Sequence, residues 1–152
     1  MNEREISLVS EWNSFVSNEN YNLIEKCLKL AQILEYPELD TSNEIEKIRE
    51  LGINFRNRIT EAKNPTYVIS LLNEFLFDVE EFQGDLDDYY NPKNNYMNYV
   101  LEEKSGIPIT LCILYTEIAK YTNLDLKIVG FPSHVIVKYK DCLLYTSPSQ
   151  RD

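Results

Sequence analysis

Residues 105–123, "SGIPITLCILYTEIAKYTN", constrain the fold of this chain more than any other stretch. From Ile109 to Ala119 the sequence is apolar nearly all round, and a helix without a polar face has to be enclosed by other elements. Pro108 suits its first turn, where a missing N–H costs nothing, and Asn123 is expected to end it. Two β-branched runs follow, "LDLKIVG" and "SHVIVKY", joined by Gly130, Phe131, Pro132 and Ser133. A buried helix leading into an antiparallel pair of strands predicts an α+β fold, with a helical layer packed on one side of a sheet.

The helical layer has to come from the preceding hundred residues. Ile6, Val9, Trp12 and Val16 approximate one helical stripe, and Ile24, Cys27, Leu28, Ala31 and Leu34 form a clearer one. Pro37 breaks the second helix. A third is expected to start at a Thr41–Glu44 capping box, or at Ser42, and to bury Ile45, Ile48, Phe55 and Ile59 to about residue 60. Asn64 and Pro65 punctuate, and Tyr67 to Val79 reads as one helix. The stretch "EEFQGDLDDYYNPKNN" reads as a loop, and Asn95 to Glu103 as a short helix.

Composition narrows the function classes. A chain of 152 residues, 43% apolar and rich in tyrosine, is long enough to bury one sizeable core. Its net charge of −10 repels phosphate backbones, so nucleic acid is not expected as a partner. The apolar run "GIPITLCILY" is far too short for a membrane span, and "MNEREISLVSEW" does not read as a signal peptide. Cys27, Cys112 and Cys142 are odd in number and widely spaced, which suits a reducing cytoplasm and fits no disulfide or zinc pattern. Glu80, Glu81, Asp85, Asp87 and Asp88 invite a metal hypothesis, but their spacing is not that of a calcium loop, and a solvated acidic loop is the simpler reading. No metal or cofactor is expected.

The chemistry centres on His134, the one histidine. At the start of a strand after a turn, its imidazole can face a cleft at the end of a sheet, as a base, or simply be structural. A thiol mechanism also needs an activated cysteine and a group that orients the imidazole. Cys112 lies more than one turn into the buried helix, beyond the useful reach of the helix dipole, so core packing is its favoured reading. Thr110 lies closer to the helix start, but a threonine hydroxyl is a poor nucleophile without a well-placed base.

Two motifs carry a family resemblance. "DDYYNPKNNYMNYVLEEKSGIPITL" and "GFPSHVIV", in this order and at this separation, resemble the SirB-type proteins of the transglutaminase-like superfamily. The likeness runs from about Cys27 to Tyr139, roughly three quarters of the chain. It implies a papain-like core in which a central helix packs on an antiparallel sheet. In active members a cysteine opens that helix, a histidine starts a strand and an aspartate lies on the next. His134 matches the histidine, whereas the cysteine position falls on "PIT", residues 108–110, with Cys112 offset by part of a turn. Ser133 stands where the family pattern has a second glycine. Tyr90, Asn95 and Ser133 are expected at the rim of the cleft.

The stretch "LLYTSPSQRD" resembles a translated adapter sequence, so one domain is expected over 1–140, with a helical region over 1–104 and a core helix and strands over 105–140. Residues 141–152 are then a non-native or disordered tail, and the aspartate would fall beyond the native sequence. The expected function is a non-catalytic, or degenerate, transglutaminase-like module that binds a protein partner or regulates. The alternatives are a thiol acyl-transfer enzyme, a cysteine peptidase or amide hydrolase using Cys112 and His134, and a plain structural fragment.

Overall fold

The computed structural model describes residues 1–61 and 64–139, and the backbone of 142–146. Helices α1 (Glu3–Val16), α2 (Leu23–Leu34), α3 (Thr41–Asn57) and α4 (Pro65–Asn73) form the first half. Each starts at a side chain that accepts a backbone N–H left over by the first turn: Asn2, Asn22, Asp40 and Asn64. The cap of α3 is therefore Asp40, which accepts from Asn43, and not Thr41 or Ser42. A carboxylate at the N-cap does the same work as a hydroxyl and adds a favourable charge at the positive end of the helix.

Helix α3 buries Glu44, Ile48, Gly52 and Phe55, while Ile45 is only partly covered and Ile59 lies past the helix end. Gly52 permits a very close approach. A Cβ there would lie 2.3 Å from the Tyr121 ring, so only glycine lets that ring lie on the helix. The expected helix from Tyr67 to Val79 changes type at Asn73: residues Glu74–Val79 are wound as a π-helix, which turns Phe75 and Leu76 into the core. Asn73 at that junction accepts a hydrogen bond of 2.9 Å from the Tyr115 hydroxyl.

The acidic stretch is more ordered than a plain loop. Residues Gln83–Gly84 (β1) pair in parallel with Ser105–Gly106 (β2), and Pro92–Asn95 form a 3-10 turn. Helix α5 occupies Met97–Glu103 and ends at Lys104 in the left-handed conformation, φ 53°. The Lys104 ammonium reaches back to Glu80 at 2.9 Å and sits over the Phe82 ring, tying the two ends of this stretch together.

Helix α6 (Pro108–Ala119) is the hub. Nine of its twelve residues are buried, which is why no polar stripe is visible in its sequence. Around it pack α2, α3, α4, α5 and the sheet. Strands β3 (Lys127–Phe131) and β4 (His134–Tyr139) pair antiparallel, with Ile128 opposite Val137 on the face turned to the core. The backbone of Cys142–Thr146 adds a third antiparallel strand, β5, beside β4. The tail expected at 141–152 thus contributes a strand at 142–146, and its other residues lie outside the described ones. Among the described residues no helix is long and apolar enough to cross a membrane.

Candidate functional site

The two singled-out motifs meet where β3 turns into β4, beside the start of α6. Phe131 pairs with His134, so only Pro132 and Ser133 make the turn. Proline fixes the first turn position, and a type II turn then takes positive φ at the second. Ser133 does so at 65°, a conformation that glycine adopts without strain. The glycine of the family pattern thus has a backbone reason, and the serine here carries a conformational cost of about 1 kcal/mol.

The start of α6 is held by Thr110. Its Oγ1 accepts the Ile107 N–H at 3.2 Å, and as donor it faces the carbonyl oxygens of Asn94 and Ile107, each 3.1 Å away. The Thr110 hydroxyl is therefore turned inward and occupied. Gly106 makes this possible, since a Cβ there would come within 2.8 Å of Thr110 Oγ1.

Asn94 extends the same network into the acidic stretch. It is fully buried, and its Nδ2 donates to Asp85 Oδ2 at 3.0 Å, the Asp88 carbonyl at 3.0 Å and the Tyr89 carbonyl at 3.3 Å. Asp85 also accepts the Asp88 N–H at 2.9 Å. That backbone hydrogen bond, then the Asn94 amide, hold its carboxyl below the usual carboxylate range. Loop 85–91 is thus tied to α6 through Asn94, whose side-chain amide holds the loop and whose backbone carbonyl accepts from Thr110.

Between these elements lies a cleft of about 290 Å³, walled by Tyr89, Ile107, Pro108, Ile109, Phe131, Ser133, His134 and Val135. A larger hollow of about 430 Å³ lies on the sheet among Asp125, Lys127, Val129, Lys138 and Tyr139. The smaller cleft is the candidate site because both motifs converge on it.

The expected site residues separate here. His134 and Ser133 line the cleft, but Thr110 and Cys112 are not among its walls. Cys112 is fully buried, and burial pushes its thiol up to about 12, so it stays protonated at neutral pH. Of the expected rim, Tyr90 stands 91% exposed with its ring edge-on to Tyr89, and it is Tyr89 that forms the wall. Asn95 is exposed and its Nδ2 donates to the Pro92 carbonyl of its own turn, while its neighbour Asn94 carries the network.

Sequence reasoning missed Asn94, Asp85, Tyr89, Ile109 and Phe131. The Asn-Pro pair at 91–92 was the available signal, since it marks a capped turn: Asn91 accepts the Lys93 N–H at 3.0 Å. Among the described residues, no three His, Cys, Asp or Glu side chains converge in a way that could hold a metal ion.

An α+β domain with a buried central helix, and a histidine at the head of the strand beside it, defines a class on geometry. The sequence pattern of the transglutaminase-like superfamily matches residues 43–150, and the chain belongs to that superfamily. A UPF0162 protein of Xylella fastidiosa is 31% identical over 133 residues, 86% of this chain and 47% of that one. The F-box only protein 21 of Homo sapiens is 34% identical over 117 residues, 66% of this chain and 19% of that one. The chain therefore spans about half the length of the UPF0162 relative and a fifth of the F-box protein. No solved structure matches.

Proposed function

We propose that this chain is a non-catalytic transglutaminase-like domain of the SirB-type branch, whose cleft serves to bind a protein partner. The observation that carries this reading is the wall of the cleft at the start of α6. There it consists of Ile107, Pro108 and Ile109, while the Thr110 hydroxyl is bonded inward and the Cys112 thiol is buried. An acyl-transfer nucleophile has to face the same space as its base. In this reading α6 against β3 and β4 is the hub of a papain-like core, kept as a scaffold. Recurrence of the stretch in relatives of different length supports a module that is joined to other domains. The free thiols of Cys27 and Cys112 suit a reducing, cytoplasmic setting.

The test is a pair of measurements on the full chain. Incubation with a glutamine-containing peptide and a fluorescent primary amine is expected to give no product above the buffer blank. Iodoacetamide is expected to alkylate Cys112 only as fast as the native state opens, with no change in His134→Ala. Rapid alkylation at neutral pH that slows in His134→Ala, or product formation abolished by Cys112→Ser, would establish the enzyme reading instead.

A further inference from the structure

We infer that the cleft beside His134 seats one large apolar side chain of an extended peptide whose neighbouring residues are basic. This rests on the protein-binding reading above and adds the chemistry of the partner. The argument begins with the walls. Tyr89, Ile109 and Phe131 are 39%, 37% and 50% exposed, and all three line one cleft. Apolar side chains scattered singly over a surface need no explanation, whereas large ones grouped around a concavity mark a contact site. A volume of about 290 Å³ is at the lower limit for small-molecule pockets and accommodates a single aromatic or branched side chain.

The backbone behind two of these walls is also fixed in advance. Tyr89 is held through its carbonyl by the buried Asn94 amide, and Phe131 by the two-residue turn to His134. A rigid rim lowers the ordering cost of binding, so a single anchor side chain can carry useful affinity.

Charge selects the neighbours of that anchor. Asp87 and Asp88 directly precede Tyr89, and both are exposed. Lys93, the nearest lysine along the chain, sits over the Tyr99 ring. Asp87 and Asp88 therefore make the rim beside Tyr89 negative, and the apolar walls do nothing to offset it. An acidic peptide or a nucleic acid is repelled there, while lysine or arginine beside the anchor is drawn in.

The test uses three fluorescein-labelled nonapeptides of Gly/Ser frame, read by anisotropy against the full chain. One has a central Phe flanked by lysines, one a central Phe flanked by glutamates, and one a central Ser flanked by lysines. The first is expected to bind at least about tenfold more tightly than either of the others. Raising the salt from about 50 to about 300 mM should weaken it severalfold, as screening cuts the rim attraction. Phe131→Ala should abolish binding. Asp87→Asn with Asp88→Asn should weaken only the lysine-flanked Phe peptide, by about fivefold.

Because Phe131, Asp87 and Asp88 are exposed, these variants are expected to fold, and urea midpoints matching the parent confirm it. Equal binding of both Phe peptides, unaltered by the Asp87/Asp88 change, overturns the basic-partner inference and leaves the protein-binding reading standing. Failure of every Phe peptide to bind in a Phe131-dependent way overturns the inference outright. Cleavage or amine incorporation into a bound peptide overturns the non-catalytic reading instead.

Discussion

Helices α1 and α6 are similar in length, and both are rich in apolar residues, yet they stand at opposite ends of the burial scale. Helix α1 has no buried residue, and Ile6 and Val9 are about half exposed. Helix α6 has nine buried residues and is in contact with most other elements. In α1 the half-covered positions are Leu8, Trp12 and Phe15, and Phe15 stacks on Tyr21 with 3.9 Å between ring centres. The helix is secured locally by the reciprocal Asn2–Glu5 capping box rather than by enclosure. Apolar spacing thus sets where a helix forms, and the number of neighbours sets how much it contributes to stability.

Matched truncations in the two helices break or keep that contrast most directly. Leu114, 1% exposed in α6, should cost about 3 kcal/mol when replaced by alanine, from lost transfer energy plus the cavity left behind. Ile6→Ala in α1 should stay within about 0.5 kcal/mol. Urea unfolding of the parent and the two variants, fitted with a common slope, measures both. Comparable losses would mean that α1 is covered in solution by something other than α2.

The same contrast explains what the sequence made legible. The hub was readable because a helix without a polar face leaves few alternatives; Pro108 opens it as expected, while α6 ends at Ala119 and Asn123 closes the 3-10 turn that follows. The hairpin was readable from its β-branched runs and the Phe-Pro-Ser link. The α1 stripe was misread because Ile6, Val9, Trp12 and Val16 repeat at nearly the same period as Leu8, Trp12 and Phe15. Periodicity does not say which of two overlapping faces meets a neighbour. The switch to π-helix comes after Asn73, which bonds the Tyr115 hydroxyl 42 positions away, and it has no local signature.

At the cleft, Asn94 was not distinguished from Asn95. Two adjacent asparagines are chemically identical in sequence, and only the packing of loop 85–91 on α6 decides which one is buried.

A smaller effect sharpens the comparison from the backbone side. Ser133 is exposed, like the outer face of α1, yet it is predicted to limit stability through its φ of 65°. Ser133→Gly should stabilise the chain by about 0.5–1 kcal/mol, because glycine meets no steric penalty there, although its looser unfolded state offsets some of the gain. The same urea series measures it. Peptide binding to the cleft should be unchanged, since its large apolar walls are other side chains. A destabilising result would mean that the Ser133 side chain makes a contact worth more than the strain.

The smallest effect separates the two ends of the molecule by pH. Asp85 belongs to the loop tied to the start of α6, and its native carboxyl titrates below the usual range because the Asp88 N–H and the Asn94 amide favour the ionised form. Folding therefore favours the carboxylate, and the sign follows. The contribution is present in full above the ordinary aspartate value of about 4 and is lost as the pH falls through the lower native value. Asp85→Asn keeps a carbonyl oxygen for one hydrogen bond but removes the titration. The stability difference between parent and variant should be largest near neutral pH and shrink steadily below about pH 4. Urea midpoints taken across that range record it. A difference that stays constant into acid would show that the loop is held by the neutral hydrogen bonds of Asn94 alone, and that the charge on Asp85 has no role in fixing the wall of the cleft.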